Sequence, residues 1–162
     1  MAKYFILLVA VCFLPAIVSA RFAPQAYRVT GVVYCDTCRC GYENEATEYM
    51  ADATVKIECK NKDTGKVTFS KEGRTNSEGR FTIMVNEDRG DDYCDAALVK
   101  SSNPECRNPN PGRDKARVIL TSNNGMTSNT RYVNAMGFER NVALESCPQI
   151  LQKYEVTEDE MN

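Results

Sequence analysis

The chain has 162 residues, 20 Lys+Arg against 22 Asp+Glu, and no histidine. This slight acidity leaves no basic excess for nucleic acid, and the missing imidazole removes Ser-His-Asp, Cys-His and histidine general-base chemistry. Eight cysteines remain as the conspicuous feature, and they point to a disulfide-linked domain in an oxidising compartment.

The chain opens on a basic Lys3, an apolar stretch from Tyr4 to Val18 and the small-residue ending Val18-Ser19-Ala20. That order predicts a secretory signal over residues 1–20, cleaved after Ala20. The apolar stretch falls short of the roughly 20 residues that span a bilayer, so no membrane insertion is expected and the product should be secreted to the extracellular space. Residues 21–154 then form one domain and residues 155–162 an acidic tail without fixed structure. Lys3 leaves with the leader, which makes the mature chain one charge more negative than the −2 of the whole.

Alternation dominates the mature region. Tyr27, Val29, Gly31, Val33 and Cys35 share one side of a first strand. Residues 53–60 place Ala53, Val55, Ile57 and Cys59 on one face and Thr54, Lys56, Glu58 and Lys60 on the other. Val67 and Phe69 mark a third strand between turns at Asp63-Thr64-Gly65 and Glu72-Gly73. A tight connection at Asn76-Ser77-Glu78-Gly79 leads to Phe81, Ile83 and Val85. Further strands are read at Asp95 to Lys100, Ala116 to Thr121 and Thr130 to Asn134, with a hairpin at Asn124-Gly125. Prolines at 104, 109 and 111 make residues 101–113 an irregular loop, and Cys147 to Tyr154 reads as a short helix. About seven strands with no intervening helices predict an all-β, antiparallel sandwich or partly closed barrel, stapled by disulfides.

Cys12 leaves with the leader, so seven cysteines remain: 35, 38, 40, 59, 94, 106 and 147. Three bridges and one extra thiol follow, and six half-cystines allow fifteen pairings. Cys35-Asp36-Thr37-Cys38-Arg39-Cys40 is the densest feature. A redox pair there would need a helix N-terminus or several cations to activate a thiolate, and only Arg39 is at hand. Zinc would need a second close pair of ligands, which the scattered Cys59, Cys94, Cys106 and Cys147 do not make. A structural role for these cysteines is the favoured reading, with no cofactor and no metal. Glu87, Asp88, Asp91, Asp92 and Asp95 cluster around Gly90, but their spacing is not that of an EF-hand loop and a solvated hairpin is expected. Lys56, Lys60, Lys62, Lys66 and Lys71 suggest a basic surface suited to solubility or to an acidic wall polymer.

The run Gly31, Val33, Tyr34, Cys35, Asp36, Cys38 and Arg39 closely resembles the signature of the plant pollen family that includes the olive major allergen, Ole e I. Gly41-Tyr42-Glu43, Asn76 to Phe81, Ala135-Met136-Gly137-Phe138 and the remaining cysteines extend the resemblance over nearly the whole mature chain. It implies bridges Cys35–Cys106, Cys38–Cys147 and Cys59–Cys94. Cys40 stands where relatives commonly carry a small residue, so it becomes the unpaired thiol or an intermolecular link in a dimer, with a monomer the first expectation. No Asn-x-Ser/Thr acceptor occurs, so no N-glycan is expected.

The resemblance further implies a secreted, non-enzymatic protein of pollen, a potential allergen acting in hydration, germination or tube growth. A receptor-like kinase ectodomain or a cell-wall component is the expected partner. The alternative is a structural wall protein cross-linked through Cys40 or tyrosines such as Tyr42 and Tyr49. Loops 40–51, 86–93 and 101–113 are the expected contact surfaces.

Overall fold

The computed structural model describes residues 26–154. The expected leader and acidic tail lie outside the described residues. Ten strands and one short helix follow in chain order: β1 (Tyr27–Asp36), β2 (Glu48–Tyr49), β3 (Thr54–Asn61), β4 (Val67–Arg74), β5 (Arg80–Val85), β6 (Asp92–Lys100), β7 (Asn108–Pro109), β8 (Lys115–Val118), β9 (Thr130–Tyr132), β10 (Met136–Glu139) and α1 (Cys147–Gln152).

They form two sheets packed face to face, and the sheets stay separate rather than closing into a barrel. The second is a regular antiparallel ladder in the order β4-β3-β6-β8. The first is built around β1, which is paired along both edges. Its first half lies between β5, antiparallel, and β9, parallel; its second half lies between β2, antiparallel, and β10, parallel. These two parallel pairings arise because the chain returns to β1 through long crossovers rather than hairpins.

The alternating residues fill the space between the sheets. Val29, Val33 and Cys35 of β1, Val55, Ile57 and Cys59 of β3, and Phe81, Ile83 and Val85 of β5 are all buried in one core. Each of the larger side chains contributes about 1.5–3 kcal/mol by leaving water.

Three local expectations are revised. Strands of two to four residues at β2, β7 and β10 raise the count above seven, since such short segments carry no periodic signal. Glu72-Gly73 is no turn but the end of β4, where a Cβ on Gly73 would stand 2.8 Å from Ile83 Cγ1. Glycine serves there for close approach. Asn124-Gly125 does turn, with Gly125 at φ 76°, but β8 and β9 belong to different sheets and make no hairpin. Buried Arg131 instead gathers that crossover, donating Nε to the Ile119 carbonyl at 3.0 Å, Nη2 to the Thr121 carbonyl at 3.0 Å, and Nη1 to the Ser128 carbonyl.

Asn76 to Gly79 is the tight connection that carries the chain from β4 in one sheet to β5 in the other. Gly79 has φ 71°, and a Cβ there would meet the Val33 carbonyl oxygen at 2.7 Å and the Met50 nitrogen at 2.9 Å. Backbone atoms cannot swing aside as a side chain can. Gly79→Ala should therefore lower stability by about 2 kcal/mol or more, as read from urea unfolding of the oxidised protein.

Candidate functional site

The C-terminal end of β1 is where sequence-distant segments are tied together. Cys35, its ninth residue, is bonded to Cys106 in the loop before β7. Cys38, just beyond the strand, is bonded to Cys147 at the start of α1. Cys59 and Cys94 face each other across β3 and β6 and are bonded inside the core. Cys40 is the free thiol, half-buried. Closing loops of 71 and 109 residues at one end contributes about 4 kcal/mol each in the chain-entropy model. Cys35 and Cys38 are each held by a distant partner, so they form no Cys-x-x-Cys pair with each other.

Between these two half-cystines lies Asp36, fully buried. Its carboxylate accepts the Gly41 amide at 2.7 Å, the Cys40 amide at 3.2 Å and Asn110 Nδ2 at 3.0 Å. Asn110 is itself buried and donates its backbone amide to the Gly137 carbonyl at 2.9 Å. One side chain thus joins the loop after β1, the loop after β7 and β10. Arg39 takes the left-handed φ of 55° and turns its guanidinium to the Asn141 carbonyl at 2.9 Å and to Glu139 Oε2 at 3.4 Å. Arg113 closes the ring, donating Nε to the Gly41 carbonyl at 2.8 Å.

The other motif residues are accounted for by packing. A Cβ on Gly31 would sit 2.6 Å from Val133 Cγ2 and 2.9 Å from Phe81 Cε1, and Val33 is core. Tyr34 lies across Gly137, its register partner, where a Cβ would come within 2.7 Å of the ring. Burial pushes the Tyr34 phenol up to about 12. The thiol of Cys40 donates to the Tyr42 carbonyl at 3.3 Å and accepts Asn44 Nδ2 at 3.2 Å. On the outside, Tyr42 meets Tyr154 edge to face at 5.7 Å, Lys153 pairs with Glu45 at 2.6 Å, and the Tyr49 hydroxyl donates to Glu43 at 2.9 Å.

Loops 40–51 and 101–113 therefore share this end. Loop 86–93 does not. It lies at the start of β1, where Asp88 accepts the Tyr27 hydroxyl at 3.1 Å, about 30 Å away along a ten-residue strand. The acidic residues there disperse to separate partners. Glu87 and Asp92 pair with Arg89, and Asp95 pairs with Arg117. No group of three or more candidate metal ligands converges among the described residues. Asp88 also takes the Gly90 amide at 2.8 Å, the Ser122 amide at 3.0 Å and the Thr121 hydroxyl at 3.1 Å. Sequence reasoning marked Asp88 only as one acid among five, and missed Asn110 and Arg131, because nothing in their neighbours announces what they will meet.

Removing the Asp36 carboxylate leaves buried amides without an acceptor. Asp36→Ala should cost about 3 kcal/mol in urea unfolding and make Cys40 alkylate faster with iodoacetamide in the folded protein. At Asp88, burial raises the carboxyl pKa, but the amides of Ser122 and Gly90 and the hydroxyls of Tyr27 and Thr121 outweigh it and hold it below the ordinary range. Its contribution is complete above the unfolded pKa of about 3.9 and is lost as pH falls through the lower folded value. The stability difference between wild type and Asp88→Asn should be flat near neutrality and vanish in acid, measured by thermal unfolding against pH.

Known proteins resemble the chain over this whole framework. The family model described as "Pollen protein Ole e 1 like" matches residues 25–155. Pollen allergen Che a 1 of Chenopodium album is 40% identical over 98% of this chain and 96% of its own. Anther-specific protein LAT52 of Solanum lycopersicum is 36% identical over 94% and 95%. Protein DOWNSTREAM OF FLC of Arabidopsis thaliana is 41% identical over 95% and 94%. The crystal structure of the major plantain pollen allergen Pla l 1 superposes with a TM-score of 0.67 at 33% identity, covering 75% of this chain and 99% of that one.

Proposed function

We propose a function that starts from one premise: the chain belongs to the Ole e 1-like family of pollen proteins. Relatives named as pollen allergens and as anther-specific associate it with pollen and with allergenicity. The protein is secreted, with residues 1–20 as its leader, since three disulfides need an oxidising exterior. It is non-enzymatic and works by binding an extracellular partner during hydration, germination or tube growth. A receptor-like kinase ectodomain is the partner that a rigid protein surface suits; a wall component is the second.

The observation that carries this reading is the tied end itself. Two disulfides and the buried Asp36 fix loops 40–51 and 101–113 before any partner arrives, so little ordering entropy is lost on binding. Glu43, Glu45, Tyr49, Lys153 and Tyr154 are exposed there and cost the fold little to present. The motif cysteines and Asp36 hold that surface without touching the partner.

The secreted protein, used as bait in pistil and pollen-tube extracts, should retain a specific ectodomain. Tyr49→Ala combined with Glu45→Arg should lose it while keeping all three bridges. Native protein should leave pollen in mild buffer; release only after reductant or wall digestion would favour the cross-linked structural protein instead.

A further inference from the structure

One sheet face is left bare, and its charge is opposite to that of the molecule. The outward residues of β4-β3-β6-β8 follow from the register. Arg74, Thr54 and Lys100 form one row across the sheet; Glu72, Lys56, Ala97 and Lys115 the next; Ser70, Glu58, Asp95 and Arg117 the third; Lys60 and Tyr93 lie in the fourth. Six cations thus share a surface with three carboxylates, on a chain whose overall charge is −2.

Two of those carboxylates are already engaged. Glu58 is held by Lys56 at 2.6 Å and Lys60 at 3.2 Å, and Asp95 by Arg117 at 2.6 Å. Arg74, Lys100 and Lys115 are exposed and make no ion pair among the described residues. The positive field of this face is therefore not cancelled locally. Of the lysines singled out in the sequence, Lys71 belongs elsewhere: its Nζ turns to the Met84 carbonyl on β5.

The fourth row adds a feature that plain solubility does not require. Tyr93 is 53% exposed and carries Arg117 over its ring at 4.9 Å and Lys62 at 5.6 Å. Beside it opens a cavity of about 280 Å³, lined by Tyr93, Lys62, Arg89, Arg117 and Ile119, with room for a sugar ring. The Nε of Arg89 is buried there without a hydrogen-bond partner.

From this juxtaposition we infer that the outer face of the second sheet binds an acidic polysaccharide, a polyuronate, with one sugar ring against Tyr93 and successive carboxylates on the cations of the rows. Neighbouring positions within a row stand about 4.8 Å apart and successive rows about 6.8 Å apart along the strands, so a linear chain bearing a carboxylate on every sugar meets several cations at once. An aromatic face takes the C–H side of a sugar ring while the cations beside it take the carboxylate. An acidic peptide would also be drawn to these cations, but it brings no sugar ring for Tyr93, so dependence on Tyr93 separates the two. This site is separate from the tied end, and its Tyr93 pole lies beside loop 86–93 at the opposite end of the sandwich.

The test uses the full secreted protein with de-esterified polygalacturonate, the same polymer fully methyl-esterified, and polyglutamate, compared by calorimetry at low and moderate salt. Binding is expected to the de-esterified polymer alone among the two polysaccharides, and to weaken as salt rises. Lys100→Glu with Lys115→Glu should weaken it on the order of tenfold or more, and Tyr93→Ala should weaken it several-fold with unchanged thermal unfolding. Equal binding to the methyl-esterified polymer, no binding at low salt, or polyglutamate binding as tight and indifferent to Tyr93→Ala would each overturn the inference. Loss of a protein partner through the Tyr49 and Glu45 substitutions leaves these outcomes unchanged, so the two readings fail separately.

Discussion

A buried carboxylate must find donors, and at Asp36 the three come from two distant parts of the chain, the turn at Cys40-Gly41 and Asn110. That requirement organises everything at the tied end. The disulfides at Cys35 and Cys38 bring Cys106 and Cys147 close, but a disulfide fixes a distance between two segments and leaves the conformation of the intervening loop open. Asp36 settles that conformation by demanding the amides of Cys40 and Gly41 at once. Arg39 in its left-handed turn and Gly41 at φ 83° are the backbone consequences. The motif is dense because bridge, acceptor and turn are all needed within a few residues of one strand end.

This explains why a sequence with the look of a thiol active site is read better as architecture. A reactive Cys-x-x-Cys needs an accessible thiolate stabilised by a dipole or by cations. Here Cys35 and Cys38 are buried, each bonded elsewhere, and Arg39, the cation within the motif, is turned away to Asn141 and Glu139. Tyr34 and Gly137 form a complementary pair across β1 and β10, so two stretches that resemble the family separately are halves of one contact.

How much was legible follows from the range of each interaction. Alternation at 53–60 and at Phe81, Ile83 and Val85 is a property of consecutive residues, and those strands stand where the pattern puts them. Which sheet a strand joins is a property of residues a hundred positions apart. Nothing around Met136 reveals that it lies beside Val33 in parallel register, and nothing at Asn124-Gly125 tells that its flanking strands part company. Gly73 was misread for the same reason: its lack of a Cβ serves Ile83 on another strand, not a turn. Asn110, Arg131 and Asp88 each act as a polar hub, and a lone polar residue in a loop carries no local sign of such a role.

The same topology decides which surfaces remain for other molecules. β1 is covered on both faces in its second half: Val33 and Cys35 face the core, while Tyr34 and Asp36, on the opposite face, are equally buried. The loops gathered by the disulfides supply that outer cover, so the first sheet has little open surface where the motif lies. The second sheet has one covered face and one wet face, as antiparallel sheets commonly do. Evenly mixed charges would suffice to keep such a face wet. A surplus of cations on a molecule of net negative charge works against that simple end, because it attracts acidic surfaces, including those of other copies. The clamped Glu58 and Asp95 temper the field without cancelling it, and an exposed ring with two cations near it is not needed for solubility. The physical asymmetry is thus between an end whose buried residues are used up in holding loops and a face where Arg74, Lys100 and Lys115 make no ion pair among the described residues, and it is the surplus charge of that face that calls for an external explanation.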